Sequence, residues 1–152
     1  METETSMRVR ADPYTIFRLA AAVEDWPRIL PHYRWVRVLR DNGSHRIVEM
    51  AARRDAIPVS WTAEQRLFPN EPRITFRHIR GVTRGMDVAW TFTREPDGVV
   101  RVRIWHRFCP HWPLVPDRLV HRVVGQFFVN HIARKTLRRI SELAEQGVVV
   151  GQ

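Results

Sequence analysis

Between Gly81 and Trp90 the chain reads Gly-Val-Thr-Arg-Gly-Met-Asp-Val-Ala-Trp, a turn that runs into alternating apolar and polar residues. Gly81 and Gly85 bracket the turn, where the missing Cβ makes a positive φ inexpensive. Beyond it Met86, Val88, Trp90 and Phe92 fall on one face of a strand, because successive side chains point to opposite sides of a pleat. Neighbouring segments repeat the pattern: Val59, Trp61, Ala63, Gln65 and Leu67; then Ile74, Phe76 and His78; then Val100, Val102, Ile104, His106 and Phe108. Rows of this width need a common cover. The chain offers one long helical segment near its C-terminus. A broad sheet face closed by a single helix is a container.

The rest of the order follows from local signals. Ser6 to Ala11 is expected as a first strand, and Asp12-Pro13 opens a helix over Tyr14 to Ala22, with Asp as N-cap and Pro at the first helical position. A second short helix is expected over Val23 to Leu30, interrupted at Trp26-Pro27 and closed by Leu30-Pro31. A strand then leads to the hairpin turn Asp41-Asn42-Gly43 and returns over Ser44 to Arg54. Strands over Pro58 to Leu67 and Arg73 to Arg80, the strand after Gly85, and Val99 to Phe108 complete the set. Pro110, Pro113 and Pro116 form a stiff connector around Trp112. Asp117 then caps a helix to about Gln146, ended by Gly147. At α-helical spacing Val120, Val124 and Phe127 lie nearly opposite Ile132, Ile140 and Leu143, so either this helix breaks near Gly125 to Asn130 or its halves pack on different elements. One strand, two short helices, six more strands and a long helix make an α+β chain. With no repeat and no long linker, residues 1–152 read as a single domain.

Composition bounds the function. No apolar run approaches the ~20 residues of a membrane span, the N-terminus is acidic and polar, and Cys109 is the only cysteine. These features fit a soluble protein of the reducing cytoplasm. The net charge of +9 comes almost wholly from arginine spread along the chain. It suits a solvated surface, an acidic carrier protein or an anionic membrane. No helix carries the pattern of a nucleic-acid reader, no Gly-rich loop cradles phosphate, and the histidines show no metal-ligand spacing, so neither nucleic acid, metal nor cofactor is expected.

Asp12-Pro13, Trp26-Pro27, Leu30-Pro31-His32-Tyr33, the mid-strand Trp61, Arg73-Ile74-Thr75-Phe76, Gly85-Met86 with Trp90, and Phe127-Phe128 with Ile132-Ala133 and Leu137 together carry a family likeness. Over nearly its whole length the chain resembles the SRPBCC (START-like) superfamily, and within it polyketide cyclase/dehydrase and coenzyme-Q-binding-protein-like members. The resemblance implies a helix-grip fold, a curved antiparallel sheet around a C-terminal helix, holding a hydrophobic small molecule. It also implies a test. Polyketide aromatase/cyclases often carry Trp-x-x-x-Arg on the strand that holds Trp61, with the arginine facing the pocket. Here Gln65 stands at that place and Arg66 follows, turned outward unless a β-bulge restores it.

The candidate site follows from the inward rows. Trp61, Phe76, Met86 and Trp90 are the expected floor, or else a filled core, with Phe108, Phe127 and Phe128 as further apolar lining. His78 and His106 interrupt apolar rows, either as satisfied core residues or as acid–base groups facing a ligand carbonyl. Tyr33 is expected at the container's mouth, able to donate to a ligand oxygen. Gln65 and Arg54 are the remaining polar candidates; a buried Arg54 would need a carboxylate such as Glu49 or Glu64. Two functions are open at this point: a cyclase/dehydratase acting on a poly-β-carbonyl chain through Tyr33, His78 or His106, and a non-catalytic lipid or quinone carrier.

Overall fold

The computed structural model describes residues 1–109 and 112–147. Seven strands, β1 (Glu2–Val9), β2 (Tyr33–Asp41), β3 (His45–Arg54), β4 (Ile57–Phe68), β5 (Arg73–Gly81), β6 (Asp87–Arg94) and β7 (Val100–Arg107), form one antiparallel sheet in the order β1-β7-β6-β5-β4-β3-β2. Helix α1 (Pro13–Ala21), a 3-10 turn (Val23–Asp25) and α2 (Trp26–Ile29) cross one end. A C-terminal helix, built of α3 (Asp117–Val120), a π-helical segment (His121–Val129) and α4 (Asn130–Glu145), lies along the concave face. This is the helix-grip arrangement that the resemblance implies.

Local chemistry explains most boundaries. The Asp12 carboxylate accepts the Tyr14 N–H at 2.9 Å and Pro13 begins α1. Gly43 takes φ 84° in the β2–β3 turn, where the Asp41 carboxylate receives its N–H at 2.7 Å. At the end of the long helix Gly147 takes φ 75° and donates to the Ala144 carbonyl. The four inward rows read from the alternation lie on the face covered by the C-terminal helix and α1, and every residue of the Ile74, Met86 and Val100 rows is buried.

Several boundaries differ from expectation. β1 starts at Glu2, not Ser6, because its polar residues find partners on β7: Glu4 pairs with Arg103 at 3.0 Å, and Glu2 accepts the Trp105 indole N–H at 2.6 Å. The segment 23–30 is interrupted at Trp26, where the 3-10 turn gives way to α2, and Pro27 lies in the first turn of α2, where its missing N–H costs nothing. Asp117 is the first residue of α3, not its cap, which is Pro116. Pro110 of the expected connector lies outside the described residues.

The C-terminal helix neither breaks nor splits its packing. Its hydrogen bonds lengthen to i→i+5 over nine residues, so each side chain advances through a smaller angle than in an α-helix. The lag carries Val120, Val124 and Val129 around to the side on which Ile132, Leu137, Ile140 and Leu143 are buried. Phe127, expected beside Val124, is turned outward by the same winding and is 38% exposed.

Candidate functional site

Between the sheet and the C-terminal helix, where the π-helical segment passes into α4, lies a cavity of about 80 Å³. That is several times the roughly 10–15 Å³ one water needs, yet below the roughly 300–1,000 Å³ usual for small-molecule pockets. Its walls are aromatic: Trp26, Tyr33, Trp61, Phe76, Trp90 and Phe128. Trp26 anchors the corner, its indole N–H on the Leu19 carbonyl at 3.0 Å and its ring edge-on to Tyr33. Val59, Trp61 and Phe128 are the partly exposed members, and they mark the mouth. No Asp, Glu, Lys or Arg lines the cavity.

Its polar groups come from three places. His78, on β5, accepts or donates one hydrogen bond between Nδ1 and the Thr83 hydroxyl at 2.7 Å, and its ring stacks on Trp61 with centroids 5.4 Å apart. Thr83 reaches it because the β5–β6 turn folds back, Gly85 N–H bonding to the His78 carbonyl and His78 N–H to that of Met86. His106 faces the same space from β7, and its buried Nδ1 has no hydrogen-bond partner. On the helix side, the Thr136 hydroxyl donates to the Ile132 carbonyl at 2.7 Å and therefore accepts from His32 Nε2 at 2.8 Å. The Tyr33 phenol lies beside Thr136.

Burial sets the protonation of these groups. It is the main cause that pushes His78 down to about 3, with the neighbouring His106 adding to it, and the only cause that brings His106 to about 4. His32 falls to about 4, again chiefly by burial and then by the charge of Lys135. The Tyr33 phenol is pushed up by burial. At neutral pH the cavity thus presents neutral imidazoles and neutral hydroxyls. It suits an uncharged ligand, because nothing in its wall would compensate a buried charge.

The structure brings Tyr33, Trp61, Phe76, His78, Met86, Trp90, His106 and Phe128 around this cavity. It does not bring in four other candidates. Phe108 is buried in the core away from the lining. Phe127 lies outside, under the Arg54 guanidinium, which sits 4.1 Å from its ring centroid. Arg54 itself turns out of the strand end and donates to the Phe127 carbonyl at 2.9 Å, with neither Glu49 nor Glu64 as partner. Gln65 points inward but toward α1: its amide donates to the Ala21 carbonyl at 2.9 Å, and its carbonyl oxygen accepts from Arg46 at 2.8 Å. Arg46, directly across from Gln65, also bonds the Ala21 carbonyl and pairs with Glu24. The buried arginine of β3 is therefore Arg46, and it secures the end of α1. The one irregularity between β4 and β5 falls at Thr62/Ala63, with the extra residue on β5, so Arg66 stays outside, 3.7 Å from Glu64. Sequence reasoning missed Trp26, Thr83 and Thr136. The spacing Ile132, Thr136, Ile140 on one helix face was the available signal for Thr136.

Residues 9–139 match the family described as polyketide cyclase / dehydrase and lipid transport. The chain belongs to this family. Over 106 residues, 68% of its length, it is 31% identical to the actinorhodin polyketide synthase bifunctional cyclase/dehydratase of Streptomyces coelicolor, and it spans 33% of that protein's length. Among solved structures, the Zhui aromatase/cyclase from Streptomyces sp. R1128 superposes with a TM-score of 0.86 over 99% of this chain and 96% of that one, at 17% identity. The di-domain ARO/CYC StfQ of the steffimycin pathway gives a TM-score of 0.78 over 97% of this chain and 52% of that one, at 16% identity. At such identities these two likenesses speak for the fold. The cavity of this family member differs from the pattern implied by the cyclase resemblance in one respect: Gln65 replaces the inward arginine and is committed to α1.

Proposed function

We propose that this protein binds a flat, uncharged, polyketide-like molecule in the cavity and acts as a cyclase/dehydratase upon it. The observation that carries the reading is the unpartnered Nδ1 of His106, buried among aromatic walls. A buried polar atom without a partner costs about 1–3 kcal/mol, and a ligand hydrogen bond would offset that cost. With its proton on Nε2, His106 offers Nδ1 as an acceptor. It takes a proton from the methylene between two ketones; the enolate attacks a further carbonyl of the same chain and forms the carbon–carbon bond. The imidazolium returns its proton to the new alkoxide. Loss of one water, as hydroxide from that carbon and a proton from its neighbour, leaves a carbon–carbon double bond. No redox change occurs. In this reading His78, held by Thr83 and stacked on Trp61, serves the departing hydroxyl. Tyr33, whose acidity burial suppresses, holds a ligand oxygen by hydrogen bonding.

A second reading, a carrier of lipid or quinone, draws support from the absent cavity arginine, since nothing charged replaces it. Cyclisation of a synthetic poly-β-ketone by wild type, His78→Phe, His106→Phe and Tyr33→Phe, each normalised to folded protein, separates the two. The enzyme reading expects His106→Phe to lose about 10²–10⁴ in rate. Wild type that binds the ketone without turning it over supports the carrier instead.

A further inference from the structure

The cavity mouth is bounded by the β3–β4 turn, the β5–β6 turn and the π-helical segment, and each exposes apolar side chains. Ile57, the first residue of β4, is 46% exposed, Val82 53%, and Leu119 of α3 and Val123 of the π-helical segment 49% and 42%. Phe127 continues the helical row and reaches the β3–β4 turn through Arg54. Among these tips stand Arg53, Arg80, Arg84, Arg118 and Arg122, all exposed. Among the described residues none of the five makes an ion pair. At the opposite end of the sheet Arg8, Arg94 and Arg101 are held by Glu95, Asp97 and Asp12, and Arg73 by Glu71, while Arg18 and Arg40 stand exposed without an ion pair and without neighbouring apolar tips of the cavity mouth. Arginines without an ion pair thus stand among the apolar tips around the cavity's entrance, where Asp55 and Asp117 are the acidic residues.

We propose that this end of the molecule docks on an anionic lipid surface, with the cavity mouth against it. Small apolar side chains on three separate protrusions, interspersed with arginines, match a headgroup layer. Each tip enters the acyl boundary while the guanidinium groups meet lipid phosphates. No continuous groove joins the tips, as a partner helix would need. Docked in this way, an apolar ligand passes between bilayer and cavity without crossing water. The functional meaning rests on the proposal that the cavity takes an apolar molecule, but docking itself is measured without any ligand.

Vesicle co-sedimentation of the full chain provides the test, with vesicles of phosphatidylcholine alone and of equal parts phosphatidylcholine and phosphatidylglycerol. Binding is expected only to the second, and release as rising salt shortens the screening length from about 8 Å at 0.15 M toward about 3 Å at 1 M. Replacing Arg53 and Arg84 together by Gln should lower the partition coefficient about 25-fold, at about five-fold per charge. Val82→Ser with Val123→Ser should weaken it several-fold. Arg18→Gln with Arg40→Gln, exposed and far from the mouth, should change it little. Equal binding to both vesicles, no binding to either, or equal losses in the two arginine pairs overturns the proposal. So does retention by a purified acidic carrier protein but not by the anionic vesicles. A cavity that binds no ligand would leave all these results readable.

Discussion

The two cavity histidines look alike in the alternation but differ in what they touch. His78 has a partner in Thr83 and a stacking face in Trp61, whereas the buried Nδ1 of His106 has none. Their removal should therefore separate. His78→Phe leaves the Thr83 hydroxyl unpaired and should destabilise by about 1–3 kcal/mol. His106→Phe removes an unpaired nitrogen and should leave stability unchanged or slightly raised while lowering turnover by about 10²–10⁴. Denaturant unfolding of both variants checks this; equal losses would make both histidines structural. Arg46 belongs at the same scale. Arg46→Gln withdraws the charge that meets the Gln65 carbonyl, the Ala21 carbonyl and Glu24, and should cost about 2–3 kcal/mol, below the range for a fully buried pair because Glu24 remains partly wet. The inward direction of Gln65 was legible from the period of two. Its partner was not, because that depends on α1, more than forty residues earlier, closing on the same spot.

At the level of elements, the inward strand rows were legible because one face of the sheet is buried, and a one-residue slip would expose it. The C-terminal helix was less so. Its two apolar sets contradict each other at α-helical spacing, and only nine residues of wider winding reconcile them. The same winding moved Phe127 out of the cavity and left Phe128 in. The β5–β6 turn is the element that holds Thr83 against His78, and it depends on Gly81. That residue takes φ 101°, and a Cβ there would lie 2.7 Å from the Ser60 carbonyl oxygen. Gly81→Ala should therefore cost about 1–3 kcal/mol and should also reduce turnover by loosening Thr83. Unfolding and rate measurements on the same preparation check it. Unchanged turnover per folded molecule would show that the turn does not position His78.

For the molecule as a whole, burying neutral imidazoles makes stability depend on pH. His32, His78 and His106 have folded values of about 4, about 3 and about 4, below the ordinary 6.5. Between these limits the unfolded chain binds more protons than the folded one, so stability is complete above pH 6.5 and falls as pH drops toward 4. For His106 alone the full loss is about 3 kcal/mol. Melting temperature should therefore decline steadily from pH 7 to pH 4.5, and less steeply in His106→Phe; parallel curves would contradict the buried, neutral assignment. If His106 waits for a ligand hydrogen bond inside an uncharged aromatic cavity, nitrogen-15 NMR of the histidine rings will see that bond form. The protein would be titrated at pH 7 with 1,3-dihydroxynaphthalene, a flat neutral phenol. The His106 Nδ1 resonance is expected to shift saturably toward that of a hydrogen-bonded acceptor, with His45 on the outer face unmoved. A His106 resonance that stays fixed through saturation, or moves no more than that of His45, would contradict it.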